Sequence, residues 1–289
     1  MRVTFLGTRG GIEARRAPHR RHAALLVSHR GRRVMIDAGE DWLGRLAQLR
    51  LDAIVVTHAH ADHVGGLARG APCAVYATEA AWRAMRRYPI AARDRRILCP
   101  GRQRRIAGIT FEAIPVEHSL IAPAVGFRIA AGGGRVFYAP DLVSIPHRAQ
   151  ALHGIHVYVG DGAAITRPIV RGRGKHPIGH ASVWMQVEWC GQEGVSRAVF
   201  SHCGTEIVEG KEEVVAERVR ALGRKRGIDA TIARDGASLA IVSRRAVCGA
   251  PGVRSTPRSA KSRRRSRRRV RPARSPSRPE PGTHGEAER

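Results

Sequence analysis

The chain has 289 residues, 43% of them hydrophobic, which is enough for one large domain or two small ones. No apolar run approaches the roughly 20 residues that span a bilayer, and Met1 to Gly11 holds only the short apolar run Val3–Leu6, without the longer stretch and cleavage site of a secretory leader; a cytoplasmic protein with no membrane partner is expected. Lys plus Arg number 51 against 24 Asp plus Glu, a formal net charge of +27 that favours anionic partners such as nucleic acid or phosphorylated substrates, although only four basic residues are Lys (Lys175, Lys211, Lys225 and Lys261) and a GC-rich genome produces the same Arg bias.

In chain order, short apolar or β-branched runs bounded by Gly, Pro or charged turns predict strands at Val3–Leu6, Ala23–Val27, Arg33–Ile36, Ala53–Thr57 and Cys73–Ala77. Trp42, Leu43, Leu46 and Leu49 repeat at helical spacing and predict a helix before the fourth of these. Further strands are expected at Ile109–Ile114, Val125–Ala130, Arg135–Ala139 and Val157–Gly160. A helix carrying Val183, Val187 and Cys190 follows a Ser182 cap, and a strand follows at Arg197–Ser201. A helix carrying Val215, Val219 and Leu222 stops near Gly227, and strands at Ala230–Ala233 and Ser238–Val242 close the series. Strands separated by helices indicate a layered α/β domain.

The pattern stops near residue 248. The last 39 residues hold 13 basic and 3 acidic residues with six Pro and six Ser, too little apolar surface to offset chain entropy. Two segments are therefore expected, a folded domain over 1–248 and a disordered basic tail over 249–289. The block SRRRSRRR (262–269) can neutralise phosphates without reading bases, so the tail is expected to associate with nucleic acid non-specifically. The five cysteines form no C-x-x-C pair, which indicates free thiols and no Cys zinc site.

The chemistry is concentrated in IVVTHAHADHVGGL (54–67). An apolar strand ends at Thr57, and His58, His60, Asp62 and His63 follow within six residues. Neutral imidazole and carboxylate suit zinc, manganese or iron. One ion rarely takes four ligands so closely spaced, so two adjacent divalent ions are expected, zinc first. Three further candidate ligands lie where predicted strands give way to loops: His118 in PVEHS, Asp141 in FYAPD and His202 in FSHCG. A water held between two such ions loses a proton far more readily than bulk water and becomes a hydroxide nucleophile.

These residues resemble the metallo-β-lactamase-fold hydrolase superfamily. His58, His60, Asp62 and His63 match its H-x-H-x-D-H motif; His118, Asp141 and His202 match its later ligand motifs in order; FLGTRGG and MIDAGE (35–40) look like its first hairpins. The likeness covers about residues 1–243. It implies a four-layer αββα sandwich of two similar halves with the metals at one edge of the sheets. It assigns His58, His60 and His118 to one ion, Asp62, His63 and His202 to the other, and Asp141 to both. Asp141 in place of Cys argues against antibiotic hydrolysis.

The segment GHAS (179–182) resembles the motif before the last helix in the tRNA 3′-processing endonuclease and PhnP-type phosphodiesterase branch. That likeness makes His180 a general acid for the leaving oxygen, and Asp62 and His180 the expected catalytic residues. Leu142 after Asp141, and the lack of a long inserted arm, point away from tRNA and towards a smaller phosphate-containing substrate. In the loop 161–180, Arg167, Arg171, Arg173 and Lys175 are candidates to hold phosphate oxygens, and Asp161 is a candidate to orient His180 or a ligand histidine. A thioester hydrolase of the glyoxalase II type and a nucleic-acid-binding protein with a structural metal site stand as alternatives. The oligomeric state is left open, a homodimer included.

Overall fold

A computed structural model describes residues 1–173 and 176–242. Lys175, the expected boundary at 248/249 and the predicted tail lie outside the described residues. The first half contributes β1 (Arg2–Gly7), β2 (Ala24–His29), β3 (Arg32–Ile36), β4 (Ala53–Val55), α1 (Ala61–Val64), β5 (Ala74–Thr78), α2 (Glu79–Ala84) and β6 (Arg95–Leu98). The second contributes β7 (Gln103–Ile106), β8 (Ile109–Val116), β9 (Ala124–Ala131), β10 (Gly134–Tyr138), α3 (Arg148–Leu152) and β11 (Val157–Asp161). A hairpin, β12 (Ile169–Arg173) and β13 (His176–His180), precedes α4 (Val183–Gln192), β14 (Arg197–Ser201), α5 (Thr205–Val208), α6 (Glu212–Arg224), β15 (Asp229–Ile232) and β16 (Ser238–Ala240).

The large strands form two seven-stranded sheets, in the orders β16-β1-β2-β3-β4-β5-β6 and β15-β14-β11-β10-β9-β8-β7. Each is antiparallel in one half and parallel in the other, with the parallel runs β3-β4-β5-β6 and β10-β11-β14-β15. This repetition is the two-halved αββα architecture that the sequence likeness implied.

Side-chain alternation explains the layering. In β8, Ile109, Phe111 and Ala113 are buried and the residues between them less so, which turns one face inward. Phe111 and Phe127 meet edge-to-face between the sheets, together with Val3, Phe5 and Val27. β11 (VYVGD) is buried along its whole length because both faces of its sheet are covered. Val187 and Val219 from α4 and α6 pack beneath the second sheet with Tyr158 and Phe200, and Trp42, Leu67 and Met85 cover the first sheet around Met35 and Ile54. Three apolar interfaces thus separate four layers.

α4 starts where expected: the Ser182 side chain accepts from Met185 N at 3.3 Å, and Val183, Gln186, Val187 and Cys190 share the buried stripe. Glu212 and Glu213 open α6, where acidic groups offset the positive helix end. The helix expected through Trp42 to Leu49 is instead two 3-10 turns, Glu40–Trp42 and Leu46–Leu49. Gly44 between them sits at φ +73°, a left-handed position that a continuous right-handed helix cannot include. Trp42 and Leu46 are buried nonetheless, whereas Leu43 is exposed and Leu49 half-buried, so the apolar spacing reported burial at two of its four positions and helix type wrongly. Among the described residues no helix is long and apolar enough to cross a membrane.

Candidate metal centre

The topology brings one set of strand ends together. β10, β11 and β14 are parallel neighbours, and Asp141, Asp161 and His202 lie at or just past their C-terminal ends. β4 supplies the His58–His63 turn from the other sheet. Val125 N donates to the Thr57 carbonyl at 3.1 Å, which ties the two sheets together beside that turn. His118 follows β8, and His180 ends β13.

All seven candidate ligands converge. His58 Nε2 lies 3.0 Å from His60 Nδ1 and 3.3 Å from Asp141 Oδ2. His118 Nε2 lies 3.3 Å from His60 Nδ1 and 3.5 Å from Asp141 Oδ2. In the adjoining group, Asp62 Oδ2 lies 3.3 Å from His63 Nε2 and 3.1 Å from His202 Nε2, and His63 Nε2 lies 3.1 Å from Asp141 Oδ2. A tetrahedral ion with bonds of about 2.0–2.1 Å holds its ligand atoms about 3.3–3.4 Å apart, so these spacings are those of ligand edges. Moreover His63 Nε2, Asp141 Oδ1 and His202 Nδ1 are buried without a hydrogen-bond partner, although His202 Nδ1 is only 2.9 Å from Asp141 Oδ1. Donor atoms that crowd together yet miss hydrogen-bonding directions suit a cation between them. The site therefore fits divalent metal.

The electrostatics agree. Burial and the neighbouring imidazole of His63 hold the proton affinity of His58 well below its ordinary value, leaving a neutral ring able to coordinate. Burial opposes charge on His63 as well, but the Asp62 and Asp37 carboxylates overcome it and raise its pKa well above normal. For His202 the same burial is outweighed by Asp141, again raising it. A pocket with this much carboxylate attracts positive charge, whether a proton or a metal ion.

Supporting groups fix the imidazoles from behind. Asp37, fully buried at φ +62°, accepts from Thr57 N at 2.8 Å and from the Thr57 hydroxyl at 2.7 Å, and its Oδ2 lies 2.9 Å from His63 Nδ1. This carboxylate–histidine arrangement sets the tautomer of a metal-binding ring. His118 Nδ1 lies 3.0 Å from the carbonyl of Gly179, whose own N–H donates back to the His118 carbonyl at 3.1 Å. Gly179 sits at φ +133°, and a side chain there would strike the Ile169 carbonyl across the hairpin. Asp37 was not singled out from sequence, although it lies in the MIDAGE segment.

His180 joins the centre from the hairpin. Its Nδ1 is 2.8 Å from Asp161 Oδ2 and 3.1 Å from Asp141 Oδ1, and its Nε2 has no hydrogen-bond partner among the described residues. Burial would lower its pKa, but Asp161 and Asp141 push it up to about 10. Asp161 is itself held by Ala163 N at 2.8 Å and Leu142 N at 3.2 Å. Gln186, wholly buried in α4, accepts from Tyr158 OH and Asp161 N, each at 2.9 Å, and donates to the Asp161 carbonyl at 2.7 Å. A glutamine on the otherwise apolar buried stripe of α4 is the sequence signal that could have revealed this clamp.

Of these groups, His60, Asp62, His118, Asp141, His180 and His202 line a cavity of about 870 Å³, which Arg167 and Arg171 also border. Arg173 lies at the end of β12, opposite His176, and Lys175 is outside the described residues.

An αββα sandwich with a His- and Asp-built divalent-metal centre at one sheet edge defines a class of metalloproteins. Residues 32–203 match the beta-lactamase superfamily domain, and the chain belongs to that superfamily. It is 27% identical over 252 residues to ribonuclease Z of Mycolicibacterium paratuberculosis, covering 73% of this chain and 89% of that one. A shorter match, 43% over 70 residues, links it to ribonuclease Z of Bradyrhizobium diazoefficiens, and spans only 22% of each chain. Its fold resembles that of a diphosphatase from the PhnP family, with a TM-score of 0.61 and 20% identity over 83% of this chain and 97% of the other. Both sides of the branch to which the GHAS segment pointed are thus represented among similar proteins.

Proposed function

We propose that the chain is a phosphodiester hydrolase that works with two divalent ions, zinc foremost and manganese or iron as alternatives. The observation that carries this reading is the pair of ligand groups His58–His60–His118–Asp141 and Asp62–His63–Asp141–His202, two of the three candidate groups that share Asp141, with His180 and Arg167 bordering the same cavity. His58, His60 and His118 would hold one ion, Asp62, His63 and His202 the other, and Asp141 both. Two such ions supply Lewis acidity and lower the pKa of water at neutral pH.

The chain's own residues do the rest. Asp141, at the meeting point of both groups, offsets the repulsion of neighbouring positive charges. Asp37 and the Gly179 carbonyl keep His63 and His118 aimed at the centre. His180 keeps Nδ1 on Asp161 and presents Nε2 to the oxygen that departs from phosphorus, to which it gives a proton. Arg167 and Arg171 draw in the phosphate oxygens, with Arg173 and Lys175 assigned the same task. The ribonuclease Z relatives and the PhnP-family diphosphatase support phosphate-ester over thioester chemistry and favour RNA as a partner.

The test is hydrolysis of bis(p-nitrophenyl) phosphate beside a thioester, with metal-free protein reloaded with zinc, manganese or iron. Phosphodiester turnover that disappears in Asp141→Asn is expected. Thioester turnover alone would move the protein to the acyl-hydrolase class and sink the reading.

A further inference from the structure

Two edge strands, β6 and β7, one from each sheet, lie next to one another in sequence and, with the segment before them, carry a concentration of positive charge that the metal centre does not use. Residues 79–105 contain nine Arg and two acidic residues, Glu79 and Asp94. All nine arginines are exposed. Arg83 pairs with Glu79 at 3.0 Å and Arg93 approaches Asp94 at 3.9 Å. The other seven have no carboxylate partner among the described residues. Of these, Arg95 lies over the Trp82 ring and donates to the Ile90 carbonyl, and Arg96 donates to neighbouring carbonyls. Arg86, Arg87, Arg102, Arg104 and Arg105 make no side-chain hydrogen bond among the described residues.

The surface around α6 is different. On α6, Arg218 pairs with Glu206, and Arg220 and Arg224 both pair with Glu217; just beyond the helix, Arg226 pairs with Glu188. The chain's Arg bias alone would leave charge equally balanced in both places. It is unbalanced at the β6–β7 edge.

The geometry extends the patch. β6 runs parallel to β4 and β5, so its Leu98 end lies at the metal end of the sheet, and β7 runs back from there, with Gln103 opposite Glu112 and Ile106 opposite Ile109. At the far end, Arg105 joins His29, Arg30 and Arg32 in a cleft of about 540 Å³, where Arg32 alone is paired, with Asp52 at 2.7 Å. A track of guanidinium groups thus leads from the metal end of the sandwich to a basic cleft at the opposite end.

We propose that this edge is a docking surface for the sugar–phosphate backbone of single-stranded RNA, separate from the cavity where phosphodiester cleavage is proposed. The inference rests on that reading for the choice of RNA among polyanions. Guanidinium groups are suited to phosphate oxygens, and a row of them supplies affinity without sequence preference. The substrate would then be a strand long enough to reach around the sheet edge.

The experiment uses the full chain, tail included, and fluorescein-labelled polyuridine followed by anisotropy across a salt series. One variant carries Arg86→Gln, Arg87→Gln, Arg104→Gln and Arg105→Gln; a control removes the same charge as Arg218→Gln, Arg220→Gln, Arg224→Gln and Arg226→Gln. Each phosphate contact to a single strand contributes about 0.7 to the slope of log affinity against log salt, so loss of four lowers the slope by about 3 in the edge variant. Affinity near 0.1 M salt should fall at least tenfold there and change little in the control. Equal losses in both variants would reduce the effect to net charge and overturn the proposal. No loss in either would assign RNA binding to the tail and leave the arginines as guards of strand edges, which overturns it as well. Turnover of bis(p-nitrophenyl) phosphate is expected to be unchanged in the edge variant. Failure of RNA docking is therefore distinguishable from failure of the hydrolase reading.

Discussion

Removing the His180 imidazole should have an effect that depends on the leaving group. Nδ1 of His180 is engaged by Asp161 at 2.8 Å, and Asp161 is locked by two backbone N–H groups and by Gln186. The ring is thus preset to offer Nε2 as an acid. A positioned general acid contributes about 10²–10⁴-fold, or about 2.7–5.4 kcal/mol of barrier. That contribution matters only when the departing oxygen needs a proton. In a diribonucleotide the leaving group is an unactivated alcohol, and His180→Ala should lose the full factor. In bis(p-nitrophenyl) phosphate a stabilised phenolate departs, and the same variant should lose less than about tenfold. Asp161→Asn should give an intermediate loss on the dinucleotide, because the ring remains but its carboxylate partner is gone. The assay is kcat/KM on both substrates, with bound metal measured for each variant. Equal losses on the two substrates, or loss of metal with the imidazole, would refute the argument and make His180 a ligand or a structural residue.

Asp37→Asn should leave the fold intact and weaken metal binding about 10–100-fold, measured by competition with a chelator, because the His63 ring loses its carboxylate partner. Stripping the metal should lower the melting temperature; each site saturated at a thousandfold its Kd contributes about 4 kcal/mol, and an unchanged melting curve would contradict metal binding to the folded state. Tyr158→Phe removes the hydroxyl that donates to Gln186 at 2.9 Å and should cost about 0.5–1.5 kcal/mol in urea unfolding. Ser182→Ala should cost about 1 kcal/mol through loss of the α4 cap, read by the same assay.

Much of this was legible from the residues. The twelve predicted strands all appear, because all but β16, where only Leu239 is half-buried, bury residues on at least one face and so carry apolar or β-branched residues in their pattern. β6 (RRIL) and β7 (QRRI) escaped because three of four residues in each are exposed at a sheet edge, which erases the pattern. The β12–β13 hairpin escaped for a similar reason, being a two-stranded unit outside the main sheets with Gly and Pro among its residues. The α2 helix, short and capped by Thr78 accepting from Ala81 N at 3.2 Å, offered too little periodicity. The seven candidate ligands were legible because their chemistry is rare at that spacing. Asp37 was not, since one buried carboxylate has no meaning until the fold shows what it holds; Gln186 was marked only by its place on the apolar stripe of α4.

The most direct test of the central claim is a zinc titration of metal-free protein, following bis(p-nitrophenyl) phosphate hydrolysis against equivalents of ion bound per chain. The account predicts that turnover reaches its maximum only when two ions are bound, and that Asp141→Asn neither retains the pair nor turns over substrate. Full turnover at one ion per chain, or undiminished activity in Asp141→Asn, would contradict it.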